Sequence, residues 1–245
     1  MNKIIIGNWK MNPASQKEAL ELFDAIKAGV KDAKAEVVIC PPFIYVSSLK
    51  FPAPRGARLA QFHGRQYSRL KLGAQNVFWE NKGAFTGEIS PAMLKSSNVK
   101  YVIVGHSERR KYFGETNEDV AKKLQAVLEV GMTPILCVGE NEGENREEVL
   151  REQLAGVSGF RLQASGLIVA YEPVWAIGTG KNCRPEDVKK AMETIKNLVG
   201  DVRVLYGGSV KADNAQEYLE VVDGLLVGGA SLNAEEFIKI VEKGS

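Results

Sequence analysis

Cysteine is scarce in this chain, and long hydrophobic runs are missing from it. The 245 residues hold three cysteines, Cys40, Cys137 and Cys183, far apart and odd in number. No two of them make a C-x-x-C pair, which argues against a zinc ribbon, a dithiol redox centre or a disulfide scaffold. Reduced thiols point to a cytoplasmic protein. No stretch approaches the about 18 apolar residues that a membrane-spanning helix needs, and the apolar run in "MNKIIIGNWK" is too short for a signal peptide. An excess of one charge is also lacking: 32 Lys and Arg face 30 Asp and Glu, a formal charge of +2. That balance gives no reason to expect nucleic acid or a membrane as partner. Any anionic ligand must be held by a local site. Low-complexity segments and linkers are absent too, so one domain over residues 1–245 is expected, a size that suits a single α/β barrel.

What the sequence does contain is a rhythm. Short runs rich in Val, Ile and Leu recur at 3–9, 36–40, 70–75, 100–106, 133–140, 167–173, 202–208 and 224–230. Most are apolar at consecutive positions instead of alternating, as strands covered on both faces should be. Between them lie amphipathic stretches such as "SQKEALELFDAIKAGV" (15–30) and "PEDVKKAMETIKNLVG" (185–200). Ser15 and Glu18 have the spacing of a capping box at the start of the first. Eight strand candidates about 20–35 residues apart, with helices between, imply parallel βα units. An open doubly wound sheet competes, but a count of eight with no residue left for another domain favours a closed (β/α)8 barrel. One stretch fits poorly: "FPAPRGARLAQFHGRQYSR" (51–69) carries two prolines, two glycines and four arginines. It is expected to be an irregular excursion between the second and third strands.

In such a barrel, residues at the C-terminal strand ends surround one cavity. Here those ends carry Asn8 and Lys10, His106, Glu172, "GGS" at 207–209 and "GG" at 228–229. Each alone has a plain structural reading: a surface lysine, a satisfied histidine, a loop-capping carboxylate, turn glycines. Their convergence is what points to chemistry. Glycines after the last two strands let backbone N–H groups approach an anion, and a helix starting within "SLNAEEF" (231–237) would add its N-terminus, so phosphate is the expected ligand class. Glu172 stands immediately before Pro173 and a run of small residues, an acid joined to a pliable loop.

The segments "GNWKMN" (7–12), "GAQN" (73–76), "AFTGEIS" (84–90), "VGHSERR" (104–110), "YEPVWAIGTGK" (171–181), "YGGSV" (206–210) and "GLLVGGASL" (224–232) resemble the triosephosphate isomerase family, in order and across nearly the whole chain. The resemblance implies a single-domain TIM barrel that interconverts dihydroxyacetone phosphate and D-glyceraldehyde 3-phosphate through an enediol or enediolate, in glycolysis and gluconeogenesis. It makes Glu172 the base, and His106 the neutral imidazole that polarises the carbonyl, kept neutral by a helix N-terminus as is known for the family. Lys10 and Asn8 would stabilise the developing oxyanion. The backbone at Gly178, Ser209, Gly228 and Gly229 would bind the phosphate, and the segment after Glu172 would be the lid known to close over substrate in this family. Glu108 takes a supporting role. Cys137 matches a position near the base, though a small core residue is the better reading. No cofactor and no metal are expected.

The resemblance also implies a homodimer in which the loop Asn76–Glu88 inserts into a neighbouring copy, so that Thr86 supports Asn8 and Lys10 across the interface. Phe78, Trp79 and Phe85 in that loop otherwise make an awkward exposed patch. Departures are few. Lys181-Asn182-Cys183 replaces the usual small residues after the lid lysine, the 51–69 excursion is long, and the segments near 140–150 and 196–203 are short. Two other readings compete: a barrel acting on a different sugar phosphate, which would not be expected to keep "GNWK", "GHSERR" and the lid together, and a non-catalytic phosphate-binding barrel, which should have a broken site.

Overall fold

The apolar runs become eight parallel strands: β1 (Ile4–Asn8), β2 (Glu36–Cys40), β3 (Leu70–Ala74), β4 (Tyr101–Val104), β5 (Thr133–Val138), β6 (Ile168–Tyr171), β7 (Arg203–Tyr206) and β8 (Gly224–Val227). In the computed structural model, which describes residues 2–49, 69–157 and 166–245, they pair in sequence order, and β8 returns to β1 to close the barrel. Ile4 to Gly7 align with Gly224 to Val227 across the closing seam. The expected excursion at 51–69 lies outside the described residues, apart from Arg69.

Consecutive apolar residues are explained by two cores with opposite demands. Ile4, Ile6, Val38, Cys40, Ile103, Ile135, Cys137, Ala170, Leu205 and Leu226 fill the barrel interior. Their chain neighbours Ile5, Val37, Ile39, Val102, Leu136, Val169, Val204 and Leu225 join the larger core beneath the helices. Period-2 geometry sends successive residues to opposite faces, and both faces are dry, so both must be apolar. The barrel floor is the exception. There Glu36 accepts hydrogen bonds from Lys71 and Tyr101 and pairs with Arg203 at 3.6 Å.

The helices of the outer layer are α1 (Gln16–Gly29), α2 (Phe43–Val46), α3 (Pro91–Ser96), α4 (Ser107–Phe113), α5 (Asn117–Glu129), α6 (Arg146–Leu154), α7 (Pro185–Val199), α8 (Ala215–Leu219) and α9 (Ala234–Lys243). Ser15 caps α1 by accepting the Glu18 N–H at 3.3 Å. The reciprocal capping box falls instead at α5, between Thr116 and Asp119. A short 3₁₀ turn (Gly229–Leu232) precedes α9, which starts at Ala234, within the stretch 231–237 where a helix start is expected. Among the described residues, no helix is long and apolar enough to cross a membrane.

Candidate active site

Glu172 follows β6 directly and is stitched between the neighbouring strand ends. Its N–H donates to the Val138 carbonyl at 2.7 Å, the Gly207 N–H donates to Tyr171 at 2.9 Å, and the Val174 N–H donates to Glu140 at 2.9 Å. The fit leaves no room for side chains opposite. A Cβ at Gly207 would lie 2.6 Å from Glu172 Cγ, and one at Gly139 would lie 1.9 Å from the Glu172 carbonyl oxygen. The carboxylate is 3% exposed; Oε1 stands 3.4 Å from His106 Nε2, while Oε2 has no hydrogen-bond partner among the described residues. A buried carboxylate oxygen without a donor is an acceptor held in reserve. Cys137 lies beneath it in the barrel interior, and burial, reinforced by the Glu172 charge, pushes its thiol far above the ordinary range. It stays a thiol within the barrel interior, and its hydrogen bond with the Glu172 side chain holds it beside that carboxylate as well as among apolar neighbours.

His106 connects β4 to α4 and serves as the N-cap of that helix. Its Nδ1 accepts the Glu108 N–H at 3.2 Å. A nitrogen that accepts an N–H carries no proton of its own, so this geometry belongs to the neutral ring, with its hydrogen on Nε2 facing the cavity. Lys10 adopts φ 54°, a left-handed backbone that a lysine rarely takes. Two amides hold it there: Asn8 Oδ1 accepts its N–H at 3.1 Å, and Gln75 Nε2 donates to its carbonyl at 2.8 Å. The same Gln75 nitrogen donates to the Cys40 carbonyl at 2.9 Å, anchoring this turn to the end of β2. Lys10 Nζ pairs with Glu108 Oε1 at 2.5 Å, and Asn8 is buried beside it. Committing Asn8 Oδ1 to the backbone leaves its NH₂ to donate.

These groups share one cavity of about 690 Å³ with Gly178, Ser209, Gly228, Gly229 and the lid, a volume suited to a small organic ligand. Gly229 opens the 3₁₀ turn, whose first N–H groups have no acceptor within the turn. The lid runs from Pro173, through a 3₁₀ turn at Val174–Ala176, to Gly178 and Gly180 at φ 67° and 76°. Ser209 Oγ donates to the Ala176 carbonyl at 2.7 Å, linking the lid to the loop after β7. At the far hinge Asn182 is exposed, whereas Cys183 is buried and its carbonyl accepts the Tyr218 hydroxyl at 2.8 Å. The segment expected to form the lid therefore ends on a buried, hydrogen-bonded residue.

Asn8, Lys10, His106, Glu172, Gly178, Ser209, Gly228 and Gly229 all line the cavity, and Glu108 touches two of them. Thr86 is different: it sits exposed on a turn of the 76–88 loop and does not line the cavity of its own chain. Sequence reasoning missed Gln75, Gln153 and Glu236. Gln153 accepts the Gly139 N–H at 2.8 Å and donates back to the Gly139 carbonyl at 3.2 Å, holding the backbone on which Glu172 rests. "GAQN" and the Asn233-to-Glu236 spacing were visible signals for two of these; Gln153, inside a surface helix, carried none. Among the described residues no group of three or more His, Cys, Asp or Glu side chains is arranged to hold a metal ion.

A closed parallel barrel whose C-terminal mouth gathers a buried carboxylate, an imidazole and an ammonium group has the layout of a barrel enzyme. The family model described as triosephosphate isomerase matches residues 3–244. The chain is 47% identical over 257 aligned positions to the triosephosphate isomerase of Caldanaerobacter subterraneus subsp. tengcongensis, covering 97% of this chain and 98% of that one. It is 46% identical, with the same coverage, to that of a Thermoanaerobacter species. To the Clostridium tetani protein of the same name it is 44% identical, covering 97% and 95%. The chain belongs to the triosephosphate isomerase family and is an isomerase. The alternative of a non-catalytic phosphate-binding barrel finds no support in these relatives.

Proposed function

We propose that this isomerase interconverts dihydroxyacetone phosphate and D-glyceraldehyde 3-phosphate, with Glu172 carrying the proton between adjacent carbons. Isomerisation removes a proton from the carbon beside a carbonyl and returns one to the neighbouring carbon, through an enediolate. Glu172 Oε2 is the acceptor for that proton. His106 Nε2–H donates to the carbonyl oxygen, Lys10 offsets the charge that develops on it, and the Asn8 amide adds a further donor. Glu108 orders both His106 and Lys10 through its N–H and its carboxylate. The backbone at Ser209, Gly228 and Gly229 grips the phosphate, and Gly178 joins when the lid shuts out water.

The observation that carries this reading is the buried Oε2 of Glu172, without a hydrogen-bond partner among the described residues, whose other oxygen is 3.4 Å from His106 Nε2. Turnover in deuterated water tests it. A proton held by a carboxylate exchanges with solvent, so a substantial fraction of product should carry deuterium on the carbon next to the carbonyl. Product entirely free of deuterium, from the parent enzyme at every degree of conversion, would contradict a carboxylate that exchanges its proton with solvent during turnover.

The assembly belongs to the same proposal: a cytoplasmic homodimer in which the 76–88 loop reaches a second copy, bringing Thr86 toward that copy's Asn8 and Lys10. Support comes from the stacked Phe78 and Trp79 rings, with centroids 4.1 Å apart, and from Phe85 at 4.7 Å from Phe78. Phe85 and Met11 are exposed, which suits a surface awaiting a partner.

A further inference from the structure

Glu236 lies outside the proton chemistry, yet it lines the same cavity as Ser209, Gly228 and Gly229. It is the third residue of α9, and its N–H donates to Oδ1 of Asn233, the N-cap, at 3.0 Å. In that position a glutamate commonly folds back onto the N–H of its own cap. Here the cap N–H donates to Ala230 instead, at 3.4 Å. The Glu236 side chain reaches away from its helix, and Oε1 accepts the Ala212 N–H at 2.7 Å. Ala212 belongs to the loop after β7. Within that loop Asn214 accepts the Lys211 N–H at 2.8 Å and donates to the Ser209 carbonyl at 3.1 Å, fixing the peptide plane beside Ser209. Thus a single carboxylate ties the loop carrying Ser209 to the helix that follows the Gly229–Leu232 turn.

The placement also carries an electrostatic penalty. A carboxylate in the wall of a phosphate pocket repels a dianion, and the nearby ammonium of Lys10 is already paired with Glu108. A neutral acceptor would hold Ala212 without that repulsion.

We propose that Glu236 is a positioning residue that sets the spacing of the two phosphate-gripping loops, and that its charge limits how tightly the pocket holds a phosphate dianion. The proposal rests on the assignment of Ser209 and Gly229 to the phosphate. It separates two effects that substitution can test apart. Glu236→Ala removes the acceptor and the charge together, whereas Glu236→Gln keeps an oxygen acceptor for Ala212 and removes the charge alone.

The experiment is competitive inhibition by inorganic phosphate, measured with KM for the triose phosphate on the parent, Glu236→Ala and Glu236→Gln. In the Ala variant, Ki and KM should both rise by about threefold, because the about tenfold cost of one lost hydrogen bond to a charged group is partly offset by removal of the like charge. In the Gln variant, Ki should fall by about threefold below the parent, as one partly screened like charge is removed. A plain helix-capping role would shift thermal stability and leave Ki within about twofold in both variants, which would overturn the proposal. A Gln variant that binds phosphate more weakly than the parent would overturn it too. That arm stands even if the Ala variant does not fold. A parent enzyme that turns over but is not inhibited by phosphate would sink the underlying assignment of the loops, and this proposal with it.

Discussion

At the scale of single residues, catalysis depends on positions where an atom is absent. Gly207 is required not by its backbone angles but by the carboxylate lying across it: a methyl there would sit 2.6 Å from Glu172 Cγ. Gly207→Ala should therefore displace the base while the barrel still folds. A displacement of about 1 Å at a reacting group lowers turnover by about a hundredfold, to be checked by steady-state kinetics beside circular dichroism. A variant with parental kcat would show that the base is not held by this contact. Some of these placements could be read from the chain and others could not. "YEPVWAIGTGK" announces the acid and its lid in one segment. The pairing of Lys10 with Glu108 spans 98 positions and leaves no local pattern. Gln75 stands in the legible segment "GAQN", but that its single amide nitrogen serves Lys10 and Cys40 has no local pattern either.

At the scale of elements, the strands were legible because two dry faces force an unbroken apolar run, a signal that needs no knowledge of partners. Capping was less legible. Ser15 and Glu18 have capping-box spacing, yet Ser15 makes its half of the exchange alone, and the full exchange occurs at Thr116 and Asp119. Thr116→Ala should lower stability by about 1 kcal/mol, measured by urea denaturation, because α5 then loses its side-chain cap. Kinetic constants should not follow, since α5 touches none of the reacting groups. Gln153 gives the converse case: it belongs to a surface helix, but both arms of its amide hold Gly139. Gln153→Leu leaves the Gly139 N–H and carbonyl without those partners and loosens the ledge under Glu172. We expect kcat to fall by about tenfold, with a much smaller change in KM. Circular dichroism separates this from general unfolding, which would also lower apparent kcat at constant KM; a folded variant with parental kcat would show that Gln153 does not hold the base.

At the scale of the whole molecule, one end of the barrel is a site and the other a charged plug. Burial alone would raise the Glu36 pKa, but hydrogen bonds from Lys71 and Tyr101, with the charges of Lys71 and Arg203, outweigh it and hold the carboxyl below its ordinary value of 4.5. A carboxyl with a depressed folded pKa stabilises the fold above its unfolded pKa, and that contribution is lost as pH falls through the folded value. Stability should therefore drop below about pH 4.5, and Glu36→Gln should flatten the drop; denaturation midpoints from pH 7 to pH 3 would show it. An acid limb that is unchanged in the variant would place the sensitivity elsewhere. Assembly is the other property at this scale. Light scattering at micromolar concentration should give the mass of a dimer, and Phe85→Lys should shift it toward monomer with a loss of activity. A fully active monomer would remove Thr86 from the account. Nothing in the local sequence pattern marked the floor network, because it draws on the starts of four strands, β2, β3, β4 and β7, that lie far apart in the chain.

The central claim is that Glu172 is the base and that its position is fixed to within a bond length. The most direct measurement is a coupled assay of glyceraldehyde 3-phosphate isomerisation, run on the parent and on Glu172→Asp. The substitution withdraws the carboxylate by one methylene and leaves the phosphate loops untouched. Fast turnover is expected in the parent, with a fall in kcat of about a hundredfold or more in the variant and an unaltered Ki for inorganic phosphate. A variant that retains kcat within about threefold would contradict that claim, because a base held this closely cannot be moved so far without loss.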